Sequence, residues 1–293
     1  MPLKLENAAK RVGSRWIYRD VSLEVADGEV FGIFGASGSG KSEIIRSFDE
    51  GVANKQSVPL IKRIFGVTRK ASDRADELEV TIDRTVGPRI LEYPFVGFDN
   101  IRKEAIAAKL REKAKEENIP VLFCTSDFNT ILLAADRAAA FIDGYIRQIG
   151  TPRELYDEPA TRAVAVLTGR HNLIEARRLT SSKSEMPEFQ TIEGGHRLFT
   201  QKAEIKTLGP INQNAWLAIR PEQISLSFGA SFPEDNLLRA TITAVEFRGP
   251  VTYVQLDCSG LPLTAMVTRL IGLNPGDECM AALPPDRIRI LTD

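Results

Sequence analysis

Over the first ~165 residues, short runs of consecutive apolar residues alternate with stretches whose apolar positions recur at helical spacing. That order builds a largely parallel sheet covered by helices. Val21 to Val25 and Val30 to Phe34 read as strands separated by the hairpin-type turn Asp27-Gly28. The second run leads into the glycine-rich segment Gly35-Ala36-Ser37-Gly38-Ser39-Gly40, after which a helix is expected from about Lys41 to Phe48. A longer helix, with Asp99 as N-cap, is expected to reach about Glu117, its apolar positions Ile101, Ala105 and Ala108 and also Ile106 and Leu110. Pro120 opens a strand from Val121 to Thr125, and Asn129 to Ala135 reads as helix. Ala138 to Ile142 and Tyr145 to Ile149 flank Asp143-Gly144 as a hairpin. Two short helices, near Pro152 to Tyr156 and Thr161 to Leu167, close this first domain, which is expected to span residues 1–168.

From about His171 the pattern changes to short alternating segments punctuated by Gly, Pro and Asn, with no long helical period. Residues 169–293 therefore read as an all-β barrel or sandwich. Its expected strands are Ala215 to Ile219, Ile224 to Phe228, Leu238 to Phe247, Thr252 to Asp257, Leu261 to Val267, Glu278 to Leu283 and Ile288 to Leu291. Thr180 to Glu188, rich in Ser, Lys, Glu and Pro, reads as a mobile loop.

Composition agrees with two folded domains, since 293 residues with 43% apolar content can build a core in each. A formal net charge of −1, from 38 basic against 39 acidic residues, implies no strongly basic surface and argues against a nucleic-acid partner. No apolar run approaches the ~18–20 residues of a membrane-spanning helix, and Met1 to Lys10 lacks signal-peptide character, so a cytoplasmic location is expected. Cys124, Cys258 and Cys279 lie far apart without metal-ligand or disulfide spacing and read as core residues. His171 and His196 have no visible ligand partners and read as surface or core histidines.

The chemistry lies in Gly35-Ala36-Ser37-Gly38-Ser39-Gly40-Lys41-Ser42, which fits the G-x-x-x-x-G-K-[ST] phosphate-loop pattern between a buried strand and a helix. Glycines let backbone N–H groups turn around a polyphosphate, and the helix N-terminus adds partial positive charge. Lys41 is expected to reach the terminal phosphates of ATP and Ser42 to offer its hydroxyl to Mg²⁺.

With this loop in place, the chain resembles the ATP-binding subunits of ABC importers of the carbohydrate, polyamine and iron class. Asp20 to Val25 with Asp27-Gly28-Glu29 resembles the family's approach to the loop. Pro94-Phe95-Val96-Gly97-Phe98-Asp99 resembles its Walker B proline and D-loop, and Thr125-Ser126-Asp127 its switch strand. Ile142 to Ile146 and Gly150 to Tyr156 are similar to the end of its nucleotide-binding domain. Ile219-Arg220-Pro221-Glu222 is similar to the following OB-like barrel, the TOBE domain. The likeness omits residues 49–88. It implies an α/β P-loop NTPase-type domain with a reduced helical subdomain, followed by a small all-β TOBE barrel. It further implies ATP and Mg²⁺ as cofactors and a place at the inner face of the cell membrane beneath ABC permease subunits. There the chain would pair as a homodimer or as a heterodimer with an intact ATP-binding subunit.

Departures from the family fall on residues that it uses for hydrolysis. Its Asp-Glu pair before the Walker B proline is here Glu92-Tyr93. Glu92 retains a carboxylate for the metal, whereas a phenol is a poor base, and Tyr93 reads more simply as the end of a core strand. Ser126 takes the place of the switch histidine. Glu43 replaces a small hydroxyl residue and would face the nucleotide's charge unless its side chain turns away. Val12 stands where an aromatic ring stacks on adenine, with Trp16 or Tyr18 as substitutes or as simple packing. Glu92 lies only 51 residues after Lys41, roughly half the separation that the resemblance implies, so the signature motif and most of its subdomain are expected to be missing. Gln56 reads as a loop residue, residues 50–84 as a shortened helix and strand around the charged run Arg69 to Glu79, and Thr85-Val86-Gly87-Pro88 as no signature remnant. The expectation is a hydrolysis-deficient importer subunit. A weakly active ATPase and a regulatory, ligand-sensing protein that has left transport remain the alternatives.

Overall fold

The computed structural model describes residues 2–53, 82, 87–179, 186–201, 208, 210–228, 236–268 and 272–292. Gln56, the run Arg69 to Glu79, Thr85, Val86 and most of the expected loop at Thr180 lie outside them, while Glu188 begins a strand. The chain divides into two compact units, Met1–Glu158 and Pro159–Asp293.

In the first unit, β1 (Leu3–Val12) and β2 (Arg15–Val25) form an antiparallel two-stranded sheet. β3 (Val30–Phe34), β4 (Arg89–Glu92), β5 (Val121–Thr125), β6 (Arg137–Ile142) and β7 (Tyr145–Gly150) form a second sheet in the order β4-β5-β3-β6-β7. This sheet is parallel except for the closing β6–β7 hairpin. Asp27-Gly28 thus joins two sheets and does not close a hairpin between β2 and β3. The cause is the difference in pattern: β3 is apolar or glycine and buried at all five positions, which suits a central parallel strand. The end of β2 alternates buried and exposed positions, which suits a sheet with one wet face, and it finds that partner in β1. At the other turn, Asp143 and Gly144 both have positive φ, 52° and 81°, as a tight hairpin requires.

α1 (Lys41–Ala53) runs five residues beyond the expected end and buries Ile44, Ile45 and Phe48. α2 (Asn100–Glu116) is capped by Asp99, whose carboxylate accepts from Arg102 N–H at 2.9 Å. Its buried face is Ile106, Ala107, Leu110 and Ala114, while Ile101 is 81% exposed. Of the two apolar spacings in the sequence, only the one through Ile106 and Leu110 meets the sheet. α3 (Phe128–Ala134) is capped by Asp127, and α4 (Pro152–Asp157) opens with a reciprocal capping box between Thr151 and Glu154.

Two parallel registers decide where the chemistry lies. Phe34 pairs with Thr125 and Glu92 with Cys124, so β3, β5 and β4 end together and deliver Gly35, Ser126 and Tyr93 to one edge of the sheet. The fully buried Arg89 at the start of β4 holds that strand from the opposite end, donating to Ile82 O at 2.7 Å and to the Glu117 carboxylate at 3.1 Å.

The second unit opens with α5 (Arg162–Leu167) and contains β8 (Asn172–Arg178), β9 (Glu188–Thr191), β10 (Arg197–Phe199), β11 (Asn214–Ile219), β12 (Ser225–Ser227), β13 (Asn236–Phe247), β14 (Thr252–Cys258), β15 (Leu261–Val267), β16 (Glu278–Leu283) and β17 (Arg289–Leu291). They form two five-stranded sheets, β10-β9-β8-β11-β17 and β12-β16-β13-β14-β15. One apolar cluster joins them, including Ile174, Phe189 and Leu217 from the first sheet and Leu238, Val254 and Ala281 from the second. β8, β9 and β10 were not among the expected strands; their alternation is short and interrupted by polar residues. α5, expected in the first domain, belongs to this unit because Ala165 packs on Ala218 and Leu291 and the Arg162 guanidinium lies 4.7 Å from the Trp216 ring.

His171, just before β8, is pushed down to about 4 by burial and, secondarily, by the Arg220 guanidinium. Between about pH 6.5 and 4 the unfolded chain then binds a proton that the native unit does not, so stability falls on acidification through that window. His171→Gln should flatten this dependence. Urea midpoints at pH 7 and pH 5 should differ by the equivalent of about 2 kcal/mol more for wild type than for the variant.

Candidate functional site

Gly35 leaves β3 where no larger residue fits, since a Cβ there would lie 2.2 Å from the Phe141 carbonyl oxygen. Ala36, Ser37 and Gly38 form the exposed crest of the loop, with Ser39 N–H bonded to Ala36 O at 3.2 Å. Gly40, with φ of 102°, brings the chain against Ile17, and α1 begins at the next residue. Its first backbone bond beyond the loop runs from Glu43 N–H to Gly40 O at 3.0 Å.

Lys41 is 1% exposed, and its ammonium is drawn into this loop. Nζ donates to Gly35 O at 2.9 Å, Ala36 O at 2.7 Å and Ser39 Oγ at 3.2 Å, which uses all three of its donors. Burial lowers its pKa, partly offset by the Cys124 thiol nearby. The cation is thus fixed under the loop crest, where a phosphate chain would have to meet it.

Tyr93, which the sequence suggested as a simple strand end, turns toward the loop instead. It has φ of 52°, a left-handed conformation that costs an aromatic residue about 1–3 kcal/mol and persists only where the surroundings impose it. Its ring centroid lies 5.7 Å from Lys41 Nζ, within cation–π range. Burial is the main cause that raises its pKa above the ordinary phenol value, with Cys124 and Glu92 acting in the same direction. Burial pushes the nearby Cys124 thiol up to about 12.

Lys41, Tyr93, Glu92 and Cys124 therefore gather at one end of the sheet, while Ser126 stands exposed one residue beyond β5. Cys124 is a free, fully buried core residue as expected, yet it also lies at the foot of the site. Only its pairing with Glu92 across two strands reveals this, and no local pattern marks it. Glu43 turns away from the loop, ion-paired with Lys10 Nζ at 3.0 Å and with Arg46. The hydrogen bond from Lys10 is the main cause that lowers its pKa. Tyr18 is packing: it is 2% exposed, and its hydroxyl lies 2.6 Å from Ser47 Oγ. Trp16 stays 44% exposed between the Arg11 and Arg19 guanidiniums at 5.6 and 5.5 Å, and Val12 is 58% exposed.

As a phosphate cradle the loop fits ATP in kind, with a buried lysine, a helix start and a turn of small residues. For Mg²⁺, Ser42 and Glu92 are hard oxygen donors of the right type.

The TOBE domain family matches residues 217–291. An Fe(3+) ions import ATP-binding protein of Streptomyces coelicolor is 26% identical over 89% of this chain and 88% of its own, and one of Pectobacterium atrosepticum is 23% identical over 99% and 97%. A spermidine/putrescine import ATP-binding protein of Thermobifida fusca is 29% identical over 56% of this chain and 41% of its own. The chain's homologues are ATP-binding subunits of ABC importers. Among solved structures, a dimeric bacterial ABC transporter cassette covers 52% of this chain and 99% of its own at 17% identity, with a TM-score of 0.38.

Against such ABC importer subunits this chain is short. The Streptomyces alignment spans 325 positions on about 261 residues of this chain, leaving about 64 without a counterpart, and the Pectobacterium alignment leaves about 67 of 357. A deficit of this size agrees with the short separation between Lys41 and Glu92.

Gly35→Ala should force the loop off Phe141, lowering the urea midpoint by the equivalent of about 2–3 kcal/mol and weakening ATP binding in calorimetry. Ser37→Ala, on the exposed crest, should stay within about 0.5 kcal/mol of wild type.

Proposed function

We propose that this chain is an ATP-binding subunit of an ABC-type solute importer that holds nucleotide on its phosphate loop with little or no hydrolysis. It would sit at the cytoplasmic face of the membrane beneath permease subunits, paired with a second copy of itself or with an intact ATP-binding subunit. The relatives and the TOBE match support the importer subunit. The observation that carries the loss of hydrolysis is Tyr93 facing Lys41 at the end of β4.

Cleaving a phosphoanhydride with water requires a group that accepts the water proton or orients its lone pair as the bond forms. A phenol with a raised pKa stays protonated at neutral pH and donates where an acceptor is needed. Loss of a positioned general base typically costs about 10²–10⁴ in rate. Ser126 offers one short hydroxyl where a longer ring nitrogen would reach the γ-phosphate.

Steady-state release of phosphate from ATP by the purified chain should match that of Lys41→Ala, while calorimetric binding of ATP is lost only in the variant. Turnover that disappears with Lys41→Ala would overturn the hydrolysis-deficient reading and leave a working ATPase.

A further inference from the structure

We infer that the tip of the β1–β2 hairpin, with the edge of β7 beside it, is a contact surface for anionic lipid headgroups. The chain then touches the bilayer directly and not only through permease subunits. This rests on the membrane-face location proposed above and involves neither the phosphate loop nor its ligand.

The chain as a whole carries a net charge of −1, yet the ten residues from Lys10 to Arg19 hold four basic side chains and no acidic one. Lys10 is spent on Glu43 at 3.0 Å. Arg11, Arg15 and Arg19 are exposed, as is Arg147 on β7. Among the described residues no carboxylate pairs with these four guanidiniums, and none of them donates to a protein acceptor. Three of them lie beside aromatic rings instead. The Arg11 and Arg19 guanidiniums are 5.6 and 5.5 Å from the Trp16 ring centroid, and those of Arg19 and Arg147 are 5.6 and 5.2 Å from the Tyr145 centroid. A ring attracts the cation without using its N–H donors, which stay open to oxyanions. Arg19 N–H bonds Gly144 O at 3.0 Å, which ties the hairpin to the β6–β7 turn and makes the arginines and rings one patch.

The apolar side chains of the tip select the partner. Val12 pairs with Arg15 and Arg11 with Trp16 across the hairpin, so each face of the tip combines one cation with one apolar side chain. Val12 is 58% exposed and Trp16 44%, and neither exposure serves the core. An anionic membrane interface satisfies both components, since phosphate oxygens take the guanidiniums while the acyl boundary takes the indole and the valine. A single-stranded nucleic acid would stack bases on the rings and leave Val12 in water. Asp20 and Asp143, both exposed, border the patch and oppose an anion, but neither is paired with the four arginines.

Sedimentation of the full chain with vesicles, in the absence of nucleotide, tests this surface. Partition onto an equal mixture of phosphatidylcholine and phosphatidylglycerol should exceed that onto phosphatidylcholine alone by about tenfold or more and should fall in high salt, because each arginine near an anionic surface contributes about fivefold. The triple variant Arg11→Gln, Arg15→Gln, Arg147→Gln should lose most of that difference. Arg153→Gln, Arg197→Gln, Arg248→Gln removes the same charge from exposed arginines already paired with carboxylates and should stay within about threefold of wild type. The chain has two tryptophans, so in a Trp216→Phe background Trp16 reports its own contact. Its emission should shift to the blue on the mixed vesicles and stay unchanged in inorganic phosphate. Thermal melts confirm that each variant is folded, and the wild-type sedimentation ratio needs no substitution. Equal partition onto the two kinds of vesicle, equal losses in the two triple variants, or Trp16 emission unchanged by the mixed vesicles overturns the proposal and leaves a location held by permease subunits intact. A shift in phosphate equal to that on vesicles overturns it as well. Emission that responds to a single-stranded oligouridylate and not to vesicles overturns it in favour of a phosphodiester chain.

Discussion

Parallel pairing of β3 with β5 and of β5 with β4 is the constraint on which the rest of the first unit depends. Parallel strands run in the same direction, so their C-terminal ends lie along one edge, and three separate chain segments deliver their next residue there. Gly35, Ser126 and Tyr93 become neighbours of one edge although they are far apart in sequence. A one-residue slip of β4 against β5 would reverse the face on which its side chains project. Buried Arg89, bonded to Ile82 and Glu117 at the other end of β4, opposes such a slip.

On this frame the charges are arranged to keep the loop in its own company. The Lys41 ammonium is saturated by two carbonyls and a hydroxyl, and Glu43 is engaged by Lys10 and Arg46. A buried cation without partners would be costly, so the three donors from Lys41 are a condition of its burial. The same contacts keep Glu43 from adding to phosphate repulsion. Its lowered pKa follows from the Lys10 hydrogen bond, and the residue that looked like an obstacle to nucleotide binding is directed elsewhere.

The second unit solves a different packing problem. Two five-stranded sheets share one apolar cluster, and α5 adds Ala165 over Ala218 and Leu291. Asn172 and Asn236 are buried and fully engaged, Asn172 with Ile219 and Thr264, and Asn236 with Phe199 and Leu283. Such buried amides tie segments distant in sequence, since an unpaired amide inside a core would be expensive. They specify which strands meet, which alternation alone leaves open.

The sequence by itself determined the elements whose pattern is strong and local. These are the phosphate loop between a fully apolar strand and a helix, the Asp99 cap, the Asp143-Gly144 hairpin and most strands of the second unit. In each, turn chemistry, capping or periodicity acts within a few residues. Only the tertiary structure decided that β2 pairs with β1, that α2 buries Ile106 and not Ile101, and that α5 belongs to the second unit. It alone turned Glu43 toward Lys10, made Tyr18 a packing residue, and set the Tyr93 ring against Lys41. Those outcomes rest on contacts between segments remote in sequence, where competing partners are chosen by burial and charge, and no local period encodes that choice.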